Sequence, residues 1–138
     1  MKILIVYDTK HGSTEQICKW IAEFINNKVD IRRTGEADNL EKYDLIIVGS
    51  PIYMERPLSS VTKFLKSHRD VLQRKKVVLF VVGLATFKFT ASRYLRIMKN
   101  ALGFEPIMVG MLPGKWRFIN HMDRTKVENF VKEIMKRI

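Results

Sequence analysis

The feature that most constrains the fold is a repeated alternation between short, continuously apolar runs and longer stretches with apolar residues at helical spacing. A strand with one face in solvent alternates polar and apolar residues, whereas a strand covered on both faces is apolar throughout. The runs Lys2 to Tyr7, Asp44 to Gly49 and Lys76 to Gly83 are of the second kind. They predict a parallel sheet with helices packed on both faces.

Two further strands and four helices complete the predicted pattern. Val29 to Arg33 predicts a short, exposed strand, and Glu105 to Leu112 predicts the final one. The four predicted helices contain Ile17, Ile21, Phe24 and Ile25; Val61, Phe64 and Leu65, after Pro57 at the helix start; Thr90 to Leu102, ended by Gly103; and residues 123 to 136. Because 138 residues suit one core, we expect a single α/β domain over residues 1 to 138.

The charge of the chain is strongly basic and unevenly distributed. Lys and Arg number 25 against 14 Asp and Glu, which gives a formal net charge of +11. Residues 1 to 69 carry 11 basic and 9 acidic side chains, whereas residues 70 to 138 carry 14 and 5. The electrostatic field of such a basic surface can attract an acidic protein, an anionic membrane surface or nucleic acid. The same charge is also explained if it only keeps the protein soluble.

Cysteine usage and hydropathy exclude several classes of protein. The one cysteine, Cys18, cannot form an internal disulfide or supply the paired thiolates of a zinc or iron–sulfur site. No signal peptide precedes the first apolar run, and the apolar runs are far shorter than the ~20 residues that cross a bilayer. We therefore expect a cytoplasmic protein without a transmembrane span.

Three loops are the candidate ligand sites. In a doubly wound sheet, ligands bind beyond the carboxyl ends of the strands, where the strand order reverses. The loops at residues 8–14, 50–57 and 84–90 lie at that edge in the predicted fold. Function is therefore expected to depend on these three segments.

The first of these loops has the composition of a phosphate site. Thr9, Ser13 and Thr14 offer hydroxyl donors, Gly12 allows close backbone approach, and a helix N-terminus follows. The same residues are also explained if Ser13 or Thr14 only caps the helix. Neither a Gly-x-Gly-x-x-Gly fingerprint nor a Gly-Lys-Ser/Thr motif is present, which disfavours a dinucleotide or ATP.

The second and third loops place aromatic side chains at the same edge. In residues 50–57, Tyr53 can stack on a planar ring and Ser50 can hydrogen-bond to its rim. In residues 84–90, Phe87 and Phe89 are equally compatible with the core or with a cofactor.

Over essentially its whole length the chain resembles the flavodoxin-fold FMN proteins. Two motifs carry the resemblance: Thr9-Lys10-His11-Gly12-Ser13-Thr14 and Gly49-Ser50-Pro51-Ile52-Tyr53. The resemblance implies a three-layer sandwich around a five-stranded parallel sheet of order 2-1-3-4-5, with FMN as the cofactor. It also implies a phosphate site and a flavin-ring site, which consist of Thr9, Lys10, His11, Gly12, Ser13 and Thr14 for the phosphate, and of Ser50, Pro51, Ile52, Tyr53, Leu84, Ala85, Thr86 and Phe87 for the ring.

A weaker similarity concerns residues 103 to 116, which resemble the end of the menaquinone-dependent protoporphyrinogen oxidase branch. The resemblances imply a redox protein that transfers electrons through a non-covalent flavin, without a catalytic side chain. Its expected partner is a redox protein or a quinone or porphyrin, with peripheral contact to an anionic membrane as a further option; nucleic acid is disfavoured. The alternatives are a menaquinone- or protoporphyrinogen-linked oxidoreductase and a flavin-free basic binding module.

The basic residues of the second half are expected to face such a partner. They are Lys88, Arg93, Arg96 and Lys99 on or just before one predicted helix, and Lys115, Arg117 and Arg124 after the last strand. Arg93, Arg96 and Lys99 share one helix face, as an ordinary solvated face also would.

Overall fold

A computed structural model describes residues 1–54, 56–83, 88–116 and 119–138, without the side chains of residues 88–91, 116 and 119. The strands are β1 (Ile3–Tyr7), β2 (Val29–Arg33), β3 (Leu45–Tyr53), β4 (Arg56–Pro57), β5 (Lys76–Gly83), β6 (Met108–Pro113), β7 (Lys115–Trp116) and β8 (Ile119–Asn120). The helices are α1 (Ser13–Phe24), α2 (Ser59–Ser67), α3 (Arg69–Leu72), α4 (Lys88–Leu102) and α5 (Arg124–Lys136), with a 3-10 turn at Leu40–Lys42. Within these described helices, none combines the length and apolar character that crossing a membrane requires.

The sheet confirms the predicted topology. Its parallel strands lie in the order β2-β1-β3-β5-β6, which is 2-1-3-4-5 when the five main strands are counted along the chain. In the middle of the sheet, Ile5 is paired with Ile31 on one side and with Ile47 on the other. The order reverses between β1 and β3, so the loops that follow these strands lie on either side of a crevice.

Two apolar layers cover the sheet, one on each face. On one face, α1 and α5 pack on the odd-numbered residues of β1, with Ile17, Ile21 and Phe130 buried between them. On the other, α2, α3 and α4 pack on the even-numbered residues, with Phe64 and Met98 buried there. The continuous apolar strands follow from this arrangement, because both sets of side chains leave water.

The segment after Gly49 differs from the sequence prediction. Residues 50–53 continue β3 instead of entering a loop, and β3 turns back to pair with β4 through Ile52 with Pro57 and Tyr53 with Arg56. Pro57 therefore belongs to a strand and not to the first turn of α2, which begins at Ser59. A proline is tolerated there because β4 is a short edge strand that needs no further donor.

Two other boundaries also move. The last main strand begins at Met108 and not at Glu105, because Pro106 has no N–H to donate to the ladder. The first ladder hydrogen bond at this end is from Ile107 N to Val77 O, at 2.9 Å. Helix α4 begins at Lys88, two residues before the predicted start at Thr90.

Candidate functional site

A cavity of about 620 Å³ lies at the carboxyl edge of the sheet, and we call it the edge cavity. Its described lining residues come from the ends of β3, β5 and β6 and from the loop before α1: His11, Ser13, Pro51, Ile52, Tyr53, Met54, Val82, Gly83, Gly114 and Lys115. None of these residues is acidic, and most of the exposed lining surface is apolar. The cavity therefore suits a largely apolar ligand that carries negative charge.

Helix α1 begins at this cavity with open backbone donors. Its N-cap residue is Gly12, at φ 86° and ψ −12°, a left-handed conformation that glycine adopts without strain. No side chain of the described residues caps the helix. Unpaired N–H groups and the helix dipole give such an N-terminus an affinity for anions.

Thr14, in the first turn of α1, has a buried and unpartnered hydroxyl. The residue is 0% exposed, and its Oγ1 has no hydrogen-bond partner among the described residues. A buried polar group without a partner costs about 1–3 kcal/mol, so such groups are rare in folded proteins. The Thr14 hydroxyl does not cap the helix, and a ligand atom bound at this turn would give it a partner.

The rest of the first loop lies close to the β3–β4 hairpin. Gly12 N donates to Thr9 Oγ1 at 2.9 Å, which closes the loop on itself. Lys10 Nζ lies 5.3 Å from the centroid of the Tyr53 ring, and the His11 ring lies 6.2 Å from it. Tyr53 is therefore the side chain at which the two loops approach each other.

The β3–β4 hairpin presents its tip and not its base to the edge cavity. Ser50 is 0% exposed; its hydroxyl accepts from Leu58 N at 2.9 Å and donates to Pro51 O at 2.9 Å. This residue holds the hairpin in place and does not line the cavity. Pro51, Ile52 and Tyr53 do line it.

Residues after β6 join the site although the sequence analysis did not assign them to it. A Cβ on Gly114 would lie 2.6 Å from Val82 Cγ1 and 3.3 Å from Ser13 Oγ, so only glycine allows this backbone to approach α1. Lys115 follows and supplies a cation at the rim. The sequence contains an indication of this role. The carboxyl ends of parallel strands meet at one edge of a sheet, so the residues that follow β6 are expected at the same edge as the three loops.

Four predicted ring contacts, Leu84, Ala85, Thr86 and Phe87, lie outside the described residues. Gly83, the residue before them in the sequence, ends β5 and lines the edge cavity.

A second cavity, of about 610 Å³, lies on the α2 side of the hairpin, and we call it the α2 cavity. Tyr53 lines both cavities. The other described lining residues are Asp8, Thr9, Lys10, Arg33, Arg56, Pro57, Leu58, Ser59, Ser60, Thr62 and Ile97. Thr9 and Lys10 of the predicted phosphate loop thus face this second space, whereas His11 and Ser13 face the first.

Asp8, at the base of the α2 cavity, is held as a carboxylate. Thr34 Oγ1 donates to it at 2.6 Å and Arg33 Nε at 3.1 Å. Burial by itself raises the pKa of Asp8, but hydrogen bonds from Ser60, Thr34 and Arg33 and the charge of Arg33 outweigh burial and hold the pKa below its ordinary value.

The basic residues singled out in the sequence have different surroundings. Arg93 and Arg96 are exposed on α4, whereas Lys99 forms an ion pair with Glu105 at 2.8 Å. Arg124 pairs with Glu23 at 2.7 Å, near the C-terminal end of α1. Arg124 therefore lies toward the C-terminal end of α1, whereas the edge cavity lies at its N-terminal end, and a partner contact of Arg124 stays a prediction. The side chain of Lys88 and the whole of Arg117 lie outside the part of the chain that the structure describes.

Comparisons with known proteins agree with this architecture. Residues 4–137 match the family model described as flavodoxin domain. An uncharacterized protein of Methanocaldococcus jannaschii is 34% identical over 109 residues, which cover 76% of this chain and 70% of that protein. The flavodoxin of Streptococcus pneumoniae TIGR4 superposes with a TM-score of 0.72 at 18% identity, with 100% of each chain covered.

A flavoprotein from Lactobacillus acidophilus NCFM, solved in complex with FMN, superposes with a TM-score of 0.66 at 17% identity. The superposition covers 80% of this chain and 92% of that one. At such identities the two solved structures establish the shared fold.

Proposed function

The chain belongs to the flavodoxin family, and on that basis we propose that it is an FMN-binding electron carrier with its flavin held non-covalently in the edge cavity. The observation that carries the proposal is the buried, unpartnered Thr14 hydroxyl at the open N-terminus of α1. The similar fold of a flavoprotein in complex with FMN supports the choice of ligand.

The residues at the N-terminal end of α1 fit a phosphate monoester. The backbone N–H groups of the first turn and the hydroxyls of Ser13 and Thr14 are the donors that would hold it. The backbone at Gly12 leaves open space, since a Cβ there would meet no atom within 4 Å. Thr9 organises the loop, and His11 lines the space beside it.

The rest of the edge cavity fits a planar aromatic ring. Pro51, Ile52 and Tyr53 would form one wall, with Val82 and Gly83 at the floor. Further ring contacts are proposed for Leu84, Ala85, Thr86 and Phe87, as the family resemblance implies. Bound here, the flavin would supply reversible uptake and release of electrons, while this chain supplies orientation and exclusion of water.

The test is the flavin content of the purified protein. We expect a yellow preparation that releases FMN on denaturation and that, once stripped, binds FMN more tightly than riboflavin. A colourless protein that does not bind added FMN would contradict the proposal and favour a flavin-free basic binding module instead.

We also propose an acidic redox protein as the partner, docking at the exposed hairpin tip. Tyr53 and Met54 are 42% and 79% exposed there. Lys10 and Lys115 lie beside them, and neither has a carboxylate within 4 Å in the described part of the chain. An apolar centre with a charged rim is typical of interfaces, and a basic rim selects acidic surfaces.

Electron transfer rates at saturating FMN test this partner. With a small acidic iron–sulfur protein as acceptor, we expect the rate to fall steeply with salt and to fall at least about fivefold in Lys10→Gln/Lys115→Gln, because charge steering changes association rates by about 10-fold or more. Arg93→Gln/Arg96→Gln removes the same amount of charge from exposed positions on α4 and should lower the electron transfer rate less.

A larger effect of the α4 pair would move the docking site to that helix. A rate that ignores salt and both variants would instead favour a neutral small acceptor such as a quinone. A porphyrin acceptor remains a prediction from the resemblance, and contact with an anionic membrane remains a prediction from the basic charge of the chain.

A further inference from the structure

Apart from Thr9 and Tyr53, the described residues that line the α2 cavity have no part in the proposed phosphate and ring contacts, yet the cavity has the size of a small-molecule site. Its volume of about 610 Å³ lies within the usual range of about 300–1,000 Å³ for ligand pockets. It lies at the crevice between β1 and β3, where the strand order reverses. Tyr53 is the residue that lines both this cavity and the edge cavity among the described residues.

Three cationic side chains from three different segments line this space. They are Lys10 before α1, Arg33 at the end of β2 and Arg56 in β4. The one carboxylate among the described lining residues, Asp8, is paired with Arg33 at 3.1 Å. Lys10 and Arg56 have no carboxylate within 4 Å in the described chain, so the described lining residues carry an excess of positive charge.

The first turn of α2 adds open backbone donors on the same wall. The bonds to its N-cap carbonyl begin with Val61 N and Thr62 N, which both donate to Leu58 O. No acceptor for the N–H groups of Ser59 and Ser60 occurs among the described residues, and no described side chain caps the helix. These donors and the arginine and lysine side chains converge on one space, which suits an anionic group.

Apart from Thr9 and Thr62, the remaining described lining residues are largely apolar. Pro57, Leu58 and Ile97 contribute apolar surface together with the Tyr53 ring, and the polar and apolar shares of the exposed lining are nearly equal. An inorganic anion would leave this apolar half in contact with water. A ligand with an apolar body and one charged group uses both halves.

We propose that the α2 cavity is a second binding site, for a small organic anion with a carboxylate or phosphate group. The charged group binds Arg56, Lys10 and the N-terminus of α2, and the apolar body packs against Tyr53, Leu58 and Ile97. The site is separate from the proposed phosphate site at α1, so each can exist without the other.

Amide chemical shifts locate such binding on the purified protein. We expect 2-naphthoate to shift the amide signals of Ser59 and Ser60 in a saturable way and to leave those of Ser13 and Thr14 in place. Neutral 2-naphthamide should bind at least about tenfold more weakly, since charge-assisted hydrogen bonds are lost. Phosphate alone should also bind more weakly, and phenyl phosphate against benzoate distinguishes the two kinds of headgroup.

A matched pair of variants tests the site itself. Arg56→Gln should weaken naphthoate binding about tenfold, whereas Arg32→Gln, on an exposed arginine outside the cavity, should not change it. No saturable shift at Ser59 and Ser60, equal binding of the neutral amide, or equal binding of inorganic phosphate would overturn the proposal. Because the shifts are read at α2 and not at α1, this outcome is independent of whether the protein binds FMN.

Discussion

Helices α1 and α5 pack side by side on one face of the sheet, but they begin in opposite ways. Asp123 caps α5: its backbone is extended, and its carboxylate accepts from Thr125 N at 2.9 Å and Lys126 N at 3.3 Å. Helix α1 begins after Gly12 in a left-handed conformation, without a side-chain cap from the described residues. At α5 a side chain accepts from two of the first backbone donors, whereas at α1 no described side chain does so.

The first loop also contains an acidic residue, which makes the difference sharper. Asp8 precedes α1 by five residues, but its carboxylate bonds Arg33 and Thr34 at the end of β2. A carboxylate at the start of α1 would occupy the donors and repel a phosphate. The Asp8 carboxylate is thus engaged away from the donors of α1, whose one acidic residue in the first turn is Glu15, whereas the Asp123 carboxylate accepts from the first turn of α5.

The largest effect is expected from adding a charge to the open helix. Gly12→Asp places a carboxylate at the proposed phosphate site, and like charges at short range should lower FMN affinity at least about a hundredfold. Gly12→Asn shares the shape and the strain of positive φ without the charge, so it is the matched control. Fluorescence titration with FMN measures both, and equal losses would mean that backbone strain and not charge is responsible.

A smaller loss is expected when hydroxyl donors are removed from the same turn. Ser13→Ala/Thr14→Ala should lower FMN affinity at least about tenfold, because hydrogen bonds to a charged group contribute about 1.5–3 kcal/mol each. Riboflavin, which has no phosphate, should lose little. Thr14→Ser keeps the hydroxyl and serves as the control. Equal losses for FMN and riboflavin would show that this turn does not hold the phosphate.

At α5 the corresponding change should affect stability and not ligand affinity. Asp123→Ala removes the cap and should lower the free energy of unfolding by about 1 kcal/mol. Urea denaturation measures this change, and FMN titration of the same variant should match the unmodified protein. A loss of FMN affinity here would contradict the division of roles between the two helices.

The smallest effect concerns the acid end of the stability curve. Because the pKa of Asp8 is held below its ordinary value in the folded state, its contribution to stability is present above the unfolded pKa of about 3.9 and is lost as the pH falls through the folded pKa. Asp8→Asn should therefore be less stable than the unmodified protein near neutral pH, and the difference should shrink below about pH 4. A difference that does not change with pH would mean that packing and not the charge of Asp8 is responsible.

Much of the fold was predictable from the residues alone. Continuous apolar runs such as the one from Lys76 to Gly83 require a sheet covered on both faces, and helical spacing between them requires parallel neighbours. Both features are local properties of hydrophobic period and composition, so they can be deduced from the sequence without knowledge of tertiary contacts. The loop before α1 could be named as a candidate phosphate site for the same reason, since its hydroxyls and Gly12 are contiguous in the chain.

Contacts between distant segments were not predictable in this way, and the tertiary structure decided them. Ser50 has the chemistry of a ligand contact, yet its hydroxyl bonds Leu58 N because the strand turns back on itself. Gly114 belongs to the edge cavity only because β6 brings it against Val82 and Ser13. Arg124 has the charge expected at the ligand edge, but α5 places it beside Glu23. Residue type sets what a side chain can do, whereas the packing of separate elements sets which atoms it meets.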